Sequence, residues 1–285
     1  MTRLAEIETH IASMDELRDI IGAMRSLAGM RAQEAQRSLP GIRNYAESVA
    51  SGIAATLLFA AKPESVPRGI PGRLAHVICM AEHGFVGGFN ERLFETMAST
   101  IGAKDLLFVL GSRGGATVLE RGRKPDWLHP MATRSSAAPD MVYRLSAELY
   151  RRIAAGEITK VEVVYARYHR GGGPTIERRM LLPLDRAALK VKPPQQPPLH
   201  NLAPEVLRER LIAEYVFALL TEAAVESIAS ENTARLAAME SAHDNISRKL
   251  KDLRQAARQA RQSEITTELL DLMTGAEAQS GKAPR

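Results

Sequence analysis

"ASENTARLAAMESAHDNISRKLKDLRQAARQARQSEITTELLDLMTG", Ala229–Gly275, has no proline and no glycine before its last letter, in a chain that uses both freely elsewhere. The unbroken stretch begins earlier, since none of the 70 residues from Glu205 to Thr274 is Gly or Pro. As one α-helix it would be about 105 Å long, against a diameter of roughly 50 Å for a compact globule of this chain length. Such a helix must protrude, fold back, or be sheathed by a partner. Val225, Ala229, Asn232, Leu236, Met239, His243, Ile246, Leu250, Leu253, Ala257 and Ala260 follow one another by alternating steps of four and three. That is a heptad seam, and its period predicts a left-handed supercoil with a second helix. Asn232 and His243 are polar members of the seam, and a polar residue at a core position fixes register.

The second helix is at the other end of the chain. Leu4, Ile7, Ile11, Met14, Leu17, Ile21, Met24 and Ala28 form one apolar stripe at helical spacing. Gly22 and Gly29 lie on one side of it, each costing a helix about 1 kcal/mol against Ala, and the expectation is that a neighbouring helix approaches closely there. Pro40-Gly41 reads as a kink or a stop, followed by a second helical stretch over Ile42–Ala61.

Between the terminal helices the period changes. "AHVICMA" (Ala75–Ala81) and "DLLFVLG" (Asp105–Gly111) are short apolar runs with the composition of buried strands, each followed by glycines and a helix-like stretch. A helix over about Asp140–Ala155 precedes "TKVEVVYARYH" (Thr159–His169), which alternates as a strand does. Gly171–Gly173 turns the chain into "TIERRMLLPL", its hairpin partner. This order predicts a small α/β domain with a mainly parallel sheet. "KVKPPQQPPLHNLAP" then reads as a stiff linker. The expected organisation is an N-terminal coiled-coil helix in residues 1–61, an α/β domain in 74–190, a Pro-rich linker in 191–204 and a C-terminal coiled-coil helix in 205–285. The fold class is α/β, with a long antiparallel coiled coil of the two terminal helices beside the small domain.

Composition sets bounds on function. Apolar residues make up 45% and charged residues 25% of the 285, with net charge +5, an ordinary globular balance. The lone Cys79 leaves no intramolecular disulfide and no multi-cysteine zinc site. No run of apolar residues reaches the length of a membrane span, and no secretory or transit signal stands at the N-terminus. The glycine turns Gly84–Asn90 and Gly111–Thr117 stand where phosphate loops occur, but neither completes a nucleotide-binding motif, so no cofactor is expected. The seven histidines are scattered without metal-ligand spacing, and no metal is expected. Arg248, Lys249, Lys251, Arg254, Arg258 and Arg261 oppose the single anion Asp252 within 14 residues. They form either a solvated helix face or a surface for an acidic partner. Aromatic residues do not interleave with them, which weighs against single-stranded nucleic acid.

These residues carry a resemblance. The quoted stretch is similar to the C-terminal helix of the gamma subunits of rotary F-type ATP synthases, whose pattern is met by Ser230, Glu231, Ala234, Arg235, Ala238, Met239, Asp244, Asn245, Ala260, Arg261, Gln262, Ile265, Thr266, Glu268, Leu269, Gly275 and Ala276. "IIGAMRSLAGMRAQEAQ" resembles the family's first helix through Ile20, Ala23 and Met24. "AEHGFVGGFNERLF" resembles its glycine turn through Gly84, Gly87, Gly88, Asn90 and Phe94. The chain departs from the pattern at Gly22, Arg25 and Arg31, where lysines are usual, at Val86, where cysteine is, and at Pro40-Gly41, within a helix normally continuous. The housekeeping copy and the divergent second type of some bacteria both stay open.

The resemblance implies a non-catalytic rotor shaft, its coiled coil inside a hexamer of alpha and beta subunits and its α/β domain bound to the epsilon subunit and the membrane c-ring. It would lie at the cytoplasmic face of the bacterial inner membrane, touching the membrane only through partners and binding no nucleic acid. Arg261, Gln262, Thr266, Glu268, Arg254, Arg258, Met24 and Arg25 would then face partner subunits, while Leu236, Met239, His243, Ile246, Leu250 and Leu253 stay in the seam. Two other function classes remain beside it. One is a coiled-coil scaffold for nucleic acid or acidic partners, and the other a nucleotide-binding α/β enzyme with helical arms.

Overall fold

A computed structural model describes residues 3–56, 72–169, 173–184 and 199–280. Most of the expected Gly171–Gly173 turn, most of the Pro-rich linker and the helix beyond Thr56 lie outside them. The elements are α1 (Arg3–Thr56), β1 (Arg73–Cys79), α2 (Phe89–Ala98), β2 (Leu106–Leu110), α3 (Ser112–Glu120), β3 (Trp127–His129), α4 (Ala138–Ala154), β4 (Ile158–Arg167), β5 (Thr175–Leu182) and α5 (Pro204–Ser280). The two long helices and the mostly parallel sheet are the fold class that the sequence pattern predicts.

α5 runs for 77 residues. It opens on Pro204, at a first-turn position where the missing N–H has no intrahelical acceptor to lose. α1 runs for 54 residues with Pro40 inside it, so the expected kink or stop at Pro40-Gly41 does not end the helix. Pro40 and Gly41 are exposed, while Leu39, Ala46, Val49, Ala50 and Ile53 are buried on the opposite side. Their burial outweighs the roughly 3 kcal/mol that an interior proline costs. The close helix approach expected at Gly22 and Gly29 is absent, since a Cβ at either would meet nothing within 4 Å.

The described residues form two compact units, Met1–Leu27 with Leu236–Arg285 and Ala28–Arg235, and both long helices contribute to each. In the first unit every seam residue from Leu236 to Ala260 is buried or half-buried, with Met239 and Leu250 the deepest on α5. Opposite them Leu4, Ile7, Ile11, Met14, Ile21 and Met24 turn inward. Leu17, expected on the same stripe, is 41% exposed. Two ion pairs cross between the helices: Arg254 forks onto Asp15 at 2.9 and 3.1 Å, and Arg261 reaches Glu8 at 2.6 Å. Residue numbers rise on α1 as they fall on α5, so the pair is antiparallel.

In the second unit the sheet order is β3-β2-β1-β4-β5, parallel except for the β4–β5 hairpin. β3 was not foreseen. It is three residues long, and the backbone and carboxylate of Asp126 tie its start to Leu107 at 2.8 Å each, a tertiary signal with no local pattern. One sheet face packs on α1, α4 and α5 through Val77, Phe108, Val163, Leu145, Ile53, Leu219 and Ala223. The other packs on α2 and α3 through Ile78, Val109, Val164, Phe89, Leu93 and Val118. Gly111 (φ 108°) and Gly114 let α3 close on β1, since a Cβ at Gly111 would stand 2.5 Å from the Met80 carbonyl oxygen and one at Gly114 2.1 Å from Met80 Cβ.

Candidate partner interface

The residues expected to meet partners fall into two groups. Arg254, Arg258, Arg261, Gln262, Thr266 and Glu268 stand exposed on the last third of α5. Met24 and Arg25 are half-buried on α1, about 24 Å along that helix from Glu8, the partner of Arg261. One group therefore cannot act as a single contact point with the other. Within the α5 group, Arg254 and Arg261 spend their charge on α1, and the Thr266 hydroxyl donates to the Gln262 carbonyl at 2.8 Å. Arg258, Lys249 and Lys251 stay exposed. Glu268 lines a groove of about 550 Å³ with Arg3, Ile7, Ala260, Ser263 and Thr267, at the start of α1.

The register set by Asp15–Arg254 and Glu8–Arg261 brings Arg3, the first described residue of α1, level with Thr266. Around and beyond that level α5 exposes five large apolar side chains: Ile265 (52%), Leu269 (57%), Leu270 (57%), Leu272 (70%) and Met273 (63%). Singly exposed apolar residues are ordinary, but five on one helix end form a contiguous apolar surface of the kind that marks an interaction site. Only Ile265 and Leu269 among them entered the sequence reading. The others were legible as apolar letters, but not as uncovered ones.

The stretch of α5 from Ser227 to Arg235 has a different task. Ser227 Oγ donates to the Cys79 carbonyl at 2.7 Å and Ser230 Oγ to the Ala166 carbonyl at 2.9 Å, pinning α5 to the ends of β1 and β4. Arg235, 6% exposed, donates to the carbonyls of Gly84 and His83 at 3.2 and 3.1 Å, and to Asn232 Oδ1 and Glu231 Oε1 at 3.0 and 2.6 Å. Glu231 also accepts from the Glu82 amide at 3.4 Å. Burial raises the pKa of Glu231 and the Arg235 guanidinium opposes the rise. Asn232 thus orients Arg235 on its own helix, where the seam reading had it fixing register with α1. The same clamp holds the loop in which Phe85 takes a left-handed φ of 61°, a conformation costly for a bulky residue.

The glycine turns are occupied by the chain itself. The Glu82 carboxylate accepts from Ser112 N at 2.9 Å, Ser112 Oγ at 2.7 Å and Met131 N at 2.7 Å. An anion already sits at the N-terminus of α3, where a phosphate would otherwise be stabilised. At the other turn the carbonyls of His83 and Gly84 face the Arg235 cation, which is the wrong polarity for a phosphate cradle. A second buried cluster escaped the sequence reading altogether: His76, with no exposed surface, lies 3.0 Å from Glu162 and 3.2 Å from Asp105, while Arg178 forks onto Glu162 at 2.8 and 3.1 Å. Its members come from four separate stretches, so only the sheet register assembles them. Among the described residues no group of three His, Cys, Asp or Glu side chains could hold a metal ion, and no helix is long and apolar enough to cross a membrane.

Residues 3–279 match the ATP-synt family, described as ATP synthase. The chain belongs to the ATP synthase gamma-chain family. It is 28% identical to the ATP synthase gamma chain of Bacteroides thetaiotaomicron over 310 residues, covering 96% of this chain and 99% of that one. It is likewise 28% identical to the gamma chain of Pasteurella multocida over 295 residues, covering 98% and 100%. Among solved structures, a chain of the Euglena gracilis mitochondrial ATP synthase, OSCP/F1/c-ring, shares the fold with TM-score 0.65 at 12% identity, covering 99% of this chain and 97% of that one. A chain from the Tetrahymena thermophila mitochondrial ATP synthase central stalk and c-ring does so with TM-score 0.53 at 18% identity, covering 78% and 99%. The chain is thus an ATP synthase gamma chain, a non-catalytic subunit.

Proposed function

We propose that this gamma subunit is the rotating shaft that couples ion flow through a membrane c-ring to ATP synthesis or hydrolysis in a hexamer of alpha and beta subunits. The observation that carries the reading is the uncovered apolar end of α5. Beyond the level of Arg3 the helix exposes Leu269, Leu270, Leu272 and Met273, and no described residue of α1 covers them. An apolar sleeve supplied by the surrounding subunits would bury that surface without directional bonds, and non-directional burial is compatible with turning. Lower on α5 the exposed cations Arg258, Lys249 and Lys251 suit acidic loops of the catalytic subunits. Because one asymmetric shaft meets three equivalent catalytic subunits, each is biased to a different conformation, and turning the shaft cycles their nucleotide affinities. The α/β unit would carry the epsilon subunit and the c-ring at the cytoplasmic face of the bacterial inner membrane.

The test is direct. Tyr143 on α4 is 71% exposed, so Tyr143→Cys gives a label site away from both long helices. In the immobilised complex a label there should advance in steps of about 120° under ATP, as threefold closed symmetry requires. A label that stays fixed while ATP is turned over removes the shaft reading.

A further inference from the structure

A shaft transmits torque only if its helices and the body that drives them cannot shear past one another. The contact between the helices and the sheet in the second unit is largely smooth. It is built from Ala46, Val49, Ala50, Ala218, Leu219, Ala223 and Ala224. Such burial resists separation, but it has no preferred direction within the surface. Directional bonds cross it in several places, Ser227 and Ser230 to the carbonyls of Cys79 and Ala166 among them, and one charge-assisted set ties both long helices to the sheet. Arg43 on α1 donates Nε to Glu222 Oε1 at 2.9 Å and Nη2 to Glu226 Oε1, both on α5. Glu222 and Glu226 lie one turn apart and share a face. The other oxygen of Glu222 accepts from Arg179 on β5 at 3.2 Å, and that of Glu226 accepts from the Tyr168 amide just past β4 at 3.0 Å. Arg167 approaches Glu226 within 4.0 Å and forks onto Glu177 at 2.9 and 3.2 Å, where the Tyr165 hydroxyl also donates at 2.9 Å. One connected set of charge-assisted bonds therefore joins α1, α5, β4 and β5.

We propose that Arg43, acting through Glu222 and Glu226, is the shear pin of this subunit: the positioning residue that fixes the rotational alignment of the α1–α5 pair on the sheet, so that torque passes between them. This rests on the shaft reading above. Glu226 is 1% exposed, so a slip that draws Arg43 away leaves a buried carboxylate with only the Tyr168 amide and, at 4.0 Å, Arg167, and hydrogen bonds weaken steeply with misalignment.

The experiment compares wild type, Arg43→Gln, Glu222→Gln and Arg43→Lys in the whole complex in inverted membrane vesicles, with ATP hydrolysis and ion uptake read together. Both glutamine variants are expected to assemble and to hydrolyse ATP within about twofold of wild type, while ions moved per ATP fall about threefold or more. Arg43→Lys keeps the charge and one of the two bonds and should recover at least half of the ratio. A merely structural role would lower assembly and hydrolysis together and leave the ratio alone. In the same complexes the Tyr168 amide should exchange its hydrogen about tenfold faster in Arg43→Gln than in wild type. A wild-type ratio in both glutamine variants, or failure of both to assemble, overturns the pin while leaving the shaft reading intact. A wild-type complex that hydrolyses ATP and moves no ions overturns the shaft reading and the pin with it.

Discussion

Arg235 shows how much a single side chain can hold. Its guanidinium satisfies two loop carbonyls and two side chains in a pocket where Glu231 is 4% exposed, so Arg235→Ala would leave that carboxylate buried and unpaired. Losing one partner of such a pair costs about 3–5 kcal/mol, and urea unfolding of the variant should show it. Adding Glu231→Gln should recover part of the loss, and a loss below about 1 kcal/mol in the single variant would show that the clamp is not structural. The pH dependence has a fixed sign. Burial raises the folded pKa of Glu231, so the folded chain holds the proton more tightly than the unfolded one, and this group's contribution is lost as pH rises through the raised value. Removing Arg235 takes away the charge that opposes the rise and should carry that fall to higher pH. Glu148 behaves oppositely: the Arg151 hydrogen bond, with help from Arg152, brings it down to about 2 from 4.5. Its stabilisation is present above the unfolded pKa and disappears as pH falls towards about 2, so Glu148→Gln should flatten the acid limb of the stability profile.

At the scale of elements the heptad seam was the most legible feature, because its period is written in consecutive residues of one helix. Every seam residue from Leu236 to Ala260 is buried or half-buried. Leu250, 2% exposed, is the sharpest test: Leu250→Asp should cost several kcal/mol by placing an unpaired carboxylate in the seam, and unchanged stability would mean the residue faces no partner helix. Of the kink or stop expected at Pro40-Gly41, the stop does not occur, because a local rule yields to its context. With no pairing to lose except one exposed turn, Pro40 is tolerated at a cost, and Pro40→Ala should raise stability by up to about 3 kcal/mol in the same assay. β3 and the His76 cluster were illegible for the converse reason, since their partners are distant in sequence. The S-E-x-x-A-R pattern was legible as a resemblance but not as a mechanism. Only the structure reveals that it clamps a loop. The proposed partner surface was half legible: the cations and Ile265 stood out, but exposure is a property of what is absent beside them.

For the whole molecule the decisive property is whether α5 turns against the surrounding subunits, and the chain is suited to asking. Cys79 is its only thiol, is 1% exposed, and has its pKa pushed up to about 12 by burial. It should therefore stay unreactive in the folded chain at neutral pH and label only on unfolding. A cysteine introduced at the exposed Ser263 then reports without background. Paired with a cysteine in a facing catalytic-subunit loop whose Cα comes within about 7 Å, it can form a bridge between rotor and hexamer. An anchoring helix would tolerate that bridge with activity intact. A rigid shaft would stop, and reduction would restore it. Ser263 lies only about three residues below the level of Arg3, close to the end of the described two-stranded stretch, so α5 could unwind and swivel just below the bridge. A second bridge from Ser247, about 24 Å lower on α5, removes that escape, because α1 runs alongside there in the same compact unit. Coupled ion transport should fall to background with the Ser247 bridge closed and return on reduction. Full coupled activity with both bridges closed would mean that this helix does not turn.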